Sequence, residues 1–336
     1  MRALFILSFF VLLGCKNATE KKIDTEQDRF SIEILDDEAL QIISPNAKIK
    51  EIASGYAWTE GPLWIEDGNY LLFSDIPNNN IFKIDSDGKT TEFLNPSGYT
   101  GEIPREGEMG SNGLLLNQDG DLVLLQHGDR RIAKMDASLD SPNPKYITLA
   151  DSYDGKKFNS PNDGAFDSDG NLYFTDPPYG LQEGVNDLAK ELDFQGVYCL
   201  KTSGELVLID KLTRPNGIAF SHDGSKMYVA VSDPEHAVWY RYDVVAPGKL
   251  INRTLLYDVT DLVGKKGQQG LPDGMKMHSQ GYLFATGPGG IWVFNEIGVP
   301  IARIHTGEAT SNCAFSKNEK TLFMTADDYV LKMDLK

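Results

Sequence analysis

The chain of 336 residues carries 32 basic and 49 acidic side chains, a formal net charge of −17, and is 41% hydrophobic and 24% charged. That balance fits one large globular domain or two small ones, and the negative charge argues against nucleic acid or an anionic membrane surface as a partner. Helix-forming patterns are scarce, whereas 32 Gly, 16 Pro and 10% aromatic residues suit many short strands joined by turns.

The chain begins MRALFILSFFVLLGCKN. Arg2 precedes an apolar run from Ala3 to Leu13 that is too short to span a bilayer and has the length of a signal-peptide core. The run ends in Leu12-Leu13-Gly14-Cys15, which resembles a bacterial lipobox, a motif whose cysteine is lipidated and becomes the mature N-terminus. The expectation is a signal peptide over 1–14, lipidation at Cys15, a polar tether over 15–39 and a folded domain over 40–336. The protein would be an exported lipoprotein, periplasmic or at the cell surface, that meets the membrane only through its anchor. A plain secretory signal is the alternative. Cys199 and Cys313 sit in apolar strand-like runs without metal-ligand spacing, so two buried free thiols are expected.

From residue 60 onward one pattern recurs: a polar residue, usually a glycine, a short apolar strand, a polar turn often containing DG, and a second strand. The copies are EGPLWIEDGNYLLFSD from Glu60, SNGLLLNQDGDLVLLQHGD from Ser111, PNDGAFDSDGNLYFTD from Pro161, PNGIAFSHDGSKMYVAVSD from Pro215, PDGMKMHSQGYLFATG from Pro272 and SNCAFSKNEKTLFMTADD from Ser311. Their leading polar residues are Glu60, Asn112, Asp163, Asn216, Asp273 and Asn312, at steps of 52, 51, 53, 57 and 39 residues. This spacing, with a hairpin in each copy, predicts an all-β, six-bladed β-propeller. Third strands such as IFKID (81–85) and GVYCL (196–200) follow, and fourth strands such as LVLID (206–210). The last copy has room for three strands only, so AKIKEIA (47–53) is expected to supply the fourth and close the ring. A paired β-sandwich is the alternative fold.

In a propeller the first strand of every blade starts at the same end of the central channel. The six leading residues should therefore converge on one mouth, joined by His127, Asp176, Tyr179 and Asp233 from the turns after the second strands. Glu60, Asn112, Asn162 or Asp163, Asn216, Asp273 and Asn312 offer oxygen donors without thiolate or imidazole, which suits a hard cation: calcium first, then magnesium or manganese. Zinc is compatible with such a set but ordinarily draws a His or Cys. His222 and His278, in hairpins at the far end, are expected to be solvated. Any single Asn or Asp here could serve only as a turn residue; the shared register of the six copies, and Glu60 above all, argue for a common site. No G-x-S-x-G occurs, which disfavours serine hydrolase chemistry.

EGPLW, SNGL, SPNDG, TDPPYG, RPNGIAF and LPDGM together resemble the bacterial gluconolactonase group, related to senescence marker protein (regucalcin), over residues 40–336. The resemblance implies a six-bladed propeller with a divalent metal, usually calcium, at the channel mouth, and hydrolysis of a small-molecule sugar lactone such as gluconolactone. It places Glu60, Asn216 and Asp273 on the metal ligands and Asn162 on a further ligand or substrate contact. Asp273 is also the candidate for activating water. Asn112, His127, Asn162 and Tyr179 are the candidate substrate contacts. Animal relatives carry an Arg two residues before the Asn that aligns with Asn162; here that residue is Ser160, so the segments 95–110 and 181–195 are expected to form the selecting rim. A monomer is expected. The rival readings are another metal hydrolase acting on a different ester, phosphoester or modified sugar, and a non-catalytic ligand-binding propeller.

Overall fold

A computed structural model describes residues 29–336. The expected signal peptide and Cys15 lie outside the described residues. Six antiparallel sheets follow one another along the chain, five of four strands and one, the fifth, of five. The first comprises Thr59–Ile65, Tyr70–Asp75, Asn80–Ile84 and Thr90–Leu94. The second comprises Ser111–Leu116, Leu122–Gln126, Arg131–Met135 and Tyr146–Ala150. The third is built from Gly164–Phe166, Leu172–Asp176, Gly196–Leu200 and Leu206–Lys211. The fourth is built from Pro215–Phe220, Lys226–Asp233, His236–Ala246 and Lys249–Asp258. The fifth holds Met275–Met277, Leu283–Gly287, Gly290–Phe294 and Pro300–His305. In the sixth, Thr310–Phe315, Thr321–Ala326 and Tyr329–Asp334 are joined by Ile49–Ser54, which pairs with Tyr329–Asp334 as the outermost strand.

The first strand of each sheet touches the first strand of the next, all the way round and back from the sixth to the first. This cycle of contacts makes the sheets the six blades of a propeller. The seam between the last and first blades is tied by Ser311 Oγ donating to the Thr59 carbonyl (2.6 Å) and by Trp64 stacked on Phe323 at 5.3 Å.

Each hairpin between first and second strands is set by local chemistry. In the third blade, Asp167 Oδ1 accepts from the backbone N–H of Asp169 (3.0 Å) and of Asn171 (2.9 Å), an Asx turn that Gly170 completes at φ +84°. The second strands are buried along their whole length in most blades, because each blade packs both faces against its neighbours. The core is accordingly a series of apolar layers between blades: Trp239 against Phe294 (5.3 Å) between the fourth and fifth, Phe323 and Val330 with Leu71 and Phe73 between the sixth and first. Each such buried aromatic or branched side chain contributes about 1.5–3 kcal/mol. Cys199 and Cys313 are buried and free within these layers.

Two expectations are revised. The fold begins earlier than residue 40. Ser31–Ile34 adds a fifth strand to the outer edge of the fifth blade, and Asp37–Gln41 forms a 3-10 turn capped by Asp36, whose Oδ1 accepts from Glu38 N–H at 2.8 Å. Ile32 and Ile34, alternating with polar neighbours, pack on the fifth blade, and Ile42 and Ile43 are fully buried behind them. A four-residue alternation beside a polar stretch is a weak signal, so residues 31–39, expected in the tether, belong to the fold. His278 is not solvated: it is buried edge-on against Phe315 (5.3 Å, 90°), with Nε2 3.4 Å from Glu319 Oε2. His222 is exposed.

The glycines after Glu60 and Asn216 have a packing reason. A Cβ on Gly61 would stand 2.1 Å from the Asn112 carbonyl oxygen, and one on Gly217 would stand 2.1 Å from that of Asp273. Both contacts are backbone of the next blade, which cannot move aside without opening the ring. Gly217→Ala is therefore expected to cost about 3 kcal/mol or more, read as a melting temperature lowered by about 6 °C or more; an unchanged melting temperature would mean the blades can slide apart here.

Candidate active site

The leading residues reach one mouth of the channel through a local irregularity. The pairing of first and second strands shifts register between Glu60 and Leu63, Ser111 and Leu114, Pro215 and Ile218, and Thr310 and Asn312. Such bulges re-aim side chains at a strand end. In the third and fifth blades the strand starts only after Asp163 and Asp273. A cavity of about 200 Å³ results, lined by Glu60, Asn112, Asn162, Asn216 and Asp273, together with Trp58, Glu108, Tyr179, Ser232 and Leu271.

The amides in this cavity are oriented by their hydrogen bonds. Asn216 Nδ2 donates to Ser232 Oγ at 2.9 Å, and Asn162 Nδ2 lies 3.4 Å from His127 Nε2. Their Oδ1 atoms, with those of Asn112 and Asp273, are buried and have no partner among the described residues. Leaving a buried acceptor unpaired costs about 1–3 kcal/mol each, so four around one cavity describe a place for a donor-rich or positively charged ligand.

The electrostatics point the same way. Burial pushes the Glu60 carboxyl up to about 8, against its Gly61 N–H bond (2.8 Å), and repulsion from Asp163 and Glu108 adds to it. Asp273 is held well above the usual carboxylate range by burial first, then by Glu60, Asp163 and Glu108. Asn312 does not line the cavity; beneath it, its Nδ2 spans Glu60 Oε2 (3.3 Å) and Asp163 Oδ2 (3.4 Å). Among the described residues no three His, Cys, Asp or Glu side chains are grouped to hold a metal ion. Any cation here would rest on two carboxylates, Glu60 and Asp273, completed by amide oxygens. That mixture fits a hard cation, and the unpartnered Oδ1 atoms are what such an ion takes.

Of the other residues singled out in the sequence, Tyr179 lines the cavity, and its phenol is raised by burial and by nearby Asp273. His127 does not line it: the ring is fully buried behind Asn162 and Glu108, touching both. Asp176 is also withdrawn. Its Oδ1 accepts from Ser160 N–H (2.8 Å) and its Oδ2 from Asn159 N–H (2.9 Å), so it fixes the loop that presents Asn162. Asp233 lies outside the lining. Ser160 is buried, donates to the Pro177 carbonyl (2.6 Å) and accepts from Gly180 N–H (2.9 Å); it locks the loop carrying Tyr179 and does not reach the cavity. Sequence reasoning missed Trp58, Ser232, Leu271 and Glu108. Glu108 falls in the 95–110 segment expected at the rim, but nothing in its neighbours marks it among the other acids there.

Fold and cavity together define a six-bladed propeller with an oxygen-lined ligand site at its channel mouth. The chain belongs to the SMP-30/gluconolactonase/LRE-like family, whose model matches residues 58–328. It is 40% identical over 300 residues to a gluconolactonase of Zymomonas mobilis, covering 88% of this chain and 83% of that protein. It is 28% identical over 282 residues to the diisopropyl-fluorophosphatase of Loligo vulgaris, covering 79% and 84% of the two chains. The solved structure of a gluconolactonase from Xanthomonas campestris superposes with a TM-score of 0.78 at 26% identity, covering 91% of this chain and 95% of that one.

Proposed function

We propose that this protein is a metal-dependent hydrolase that opens the ring ester of a sugar lactone. The observation that carries the reading is the set of four partnerless buried oxygens, one of them on the Asp273 carboxylate, that line one cavity together with the buried carboxylate of Glu60. Similarity to gluconolactonases from two bacteria supplies the substrate class.

Glu60, Asn162, Asn216 and Asp273 would hold the cation, with calcium the leading choice. When bound, it supplies positive charge that offsets the carboxylates and polarises an ester carbonyl. The remaining work falls to the chain. Asp273 Oδ1, free and turned into the cavity, takes a proton from the attacking water. The water oxygen bonds to the carbonyl carbon, the bond from that carbon to the ring oxygen breaks, and Asp273 returns the proton to the ring oxygen, which leaves as a hydroxyl group while the carbonyl carbon becomes the carboxyl group. Ser232 fixes the Asn216 amide. Trp58 and Leu271 give the cavity an apolar wall, and Tyr179 and Asn112 face the substrate.

A panel of hydroxylated lactones, assayed with and without a chelator, tests the reading. Turnover that disappears with chelator and returns with calcium is expected; no turnover by cation-loaded protein would overturn it. The resemblance to diisopropyl-fluorophosphatase makes an organophosphate the rival substrate to include. We also propose the lipoprotein anchor: labelling of the expressed chain with a radioactive fatty acid is expected to vanish in Cys15→Ala, and labelling that persists in the variant removes the lipobox.

A further inference from the structure

We propose that Glu108 is the specificity-determining residue of the cavity, accepting hydrogen bonds from the ring hydroxyls of the substrate. The inference rests on the lactonase reading and deepens it.

Glu108 differs from the other acids of the site. Glu60, Asp163 and Asp273 come from the blades and are almost wholly buried or deeply desolvated. Glu108 comes down onto the cavity from the loop between the first two blades, with its side chain 34% exposed. Its charge reaches both Glu60 and Asp273, but its position on the rim loop sets it apart from the groups at the heads of the blades.

The loop that carries it is braced at several points. Asn79 Oδ1 accepts from the backbone N–H groups of Ser97, Gly98 and Tyr99 at 3.1, 2.7 and 3.1 Å. Arg105 donates to the Gly128 carbonyl at 3.0 Å and to the Gly180 carbonyl, stapling the loop to the segment that presents Tyr179. Beyond Glu108, Gly110 N–H donates to the Ile76 carbonyl at 2.8 Å. Beneath it lies His127. Its Nε2 lies 3.4 Å from Asn162 Nδ2 and its Nδ1 3.0 Å from Glu108 Oε2, so one buried ring touches both side chains. His127 is thus a positioning residue that sets Glu108 and Asn162 relative to each other.

The chemistry of the lining identifies what Glu108 receives. Asn112, Asn162, Asn216 and Asp273 all present acceptors, and Glu108 adds another. Once a cation satisfies the oxygens at the floor, an acceptor at the rim is satisfied by a hydroxyl donor. A ring bearing vicinal hydroxyls supplies donors at the rim while its ester meets Asp273, with its less polar face toward Trp58.

The test compares Glu108→Gln and Glu108→Ala with the parent on gluconolactone and on δ-valerolactone, a six-membered lactone without hydroxyls. A hydrogen bond to a carboxylate lost from the bound state corresponds to about a ten- to hundredfold change. At saturating calcium, the expected result is a KM for gluconolactone raised by that factor in Glu108→Ala and by less in Glu108→Gln, with a much smaller change in KM for δ-valerolactone. Equal losses on both lactones, or no change on either, would each overturn the proposal. Should the parent turn over neither lactone, the lactonase reading fails by itself. Calorimetric binding of 1,5-anhydroglucitol, a neutral ring with the same hydroxyls and no ester, then decides separately: weaker binding in both variants supports the role of Glu108, and equal binding or none overturns it.

Discussion

Asp273→Asn is expected to lower lactone turnover by about three orders of magnitude, within the range that a positioned general base contributes, while the fold and the bound cation persist. Asp273 stands partly buried at the head of the fifth blade, and its Oδ1 is buried, lies at the cavity and has no partner among the described residues. Asparagine keeps the shape and an oxygen for the cation but cannot take a proton from water. The contrast with Glu60→Gln makes the result diagnostic. Glu60 has one oxygen engaged by Gly61 N–H and by Asn312, and serves in this reading only as a ligand. Its variant should bind calcium more weakly yet recover turnover when calcium is raised, whereas Asp273→Asn should not recover at any concentration. Recovery of Asp273→Asn at saturating calcium would reduce Asp273 to a ligand and require another base.

Calcium is expected to raise the melting temperature more at pH 8 than at pH 5, and the cation-free protein is expected to be less stable at the higher pH. The sign follows from Glu60, which rises from an ordinary 4.5 to about 8 in the fold, and from Asp273, which moves in the same direction. Below about pH 4.5 Glu60 is protonated in folded and unfolded chains alike. Between there and about pH 8 the folded state holds a proton that the unfolded state has released, so the contribution of this group falls as pH rises and is lost above it. A divalent ion reverses the balance by favouring the ionised pair, and it competes with protons at low pH. With free calcium a hundredfold above its dissociation constant the gain at pH 8 is about 2.7 kcal/mol, or roughly 5 °C in a protein of this size. Differential scanning fluorimetry with chelator, calcium and magnesium at the two pH values measures it. An equal shift at both, or a larger one at pH 5, would separate the cation from these carboxylates.

The blade count, the hairpins and the convergence of the leading residues were legible in the chain because they are repeats. A polar residue at the head of a hairpin recurs six times, followed by a glycine in five copies and by a DG turn in four, so the same local physics repeats along the chain. Of the six leading residues, Glu60, Asn112, Asn216 and Asp273 line the cavity and Asp163 and Asn312 do not; Asn162, beside a leading residue, and Tyr179, from the turn after a second strand, line it as well. What has no repeat behind it was decided only by the tertiary structure. His127 and Asp176 lie at repeat positions but are turned behind the lining, because each satisfies neighbours from an adjoining loop. Ser160 ties its loop to Pro177 and Gly180. Ser31–Ile34 finds its partner at Pro300–His305, some 270 residues along the chain. Glu108 is one of several acids in an irregular segment, which hydrogen bonds to distant residues, among them those of Asn79, Arg105 and Gly110, bring over the cavity. Periodicity is a property of neighbours in the chain, so the sequence by itself determined the blades and their ring. Which side chains face inward at the rim depends on contacts between segments far apart in the chain, and no local pattern encodes those.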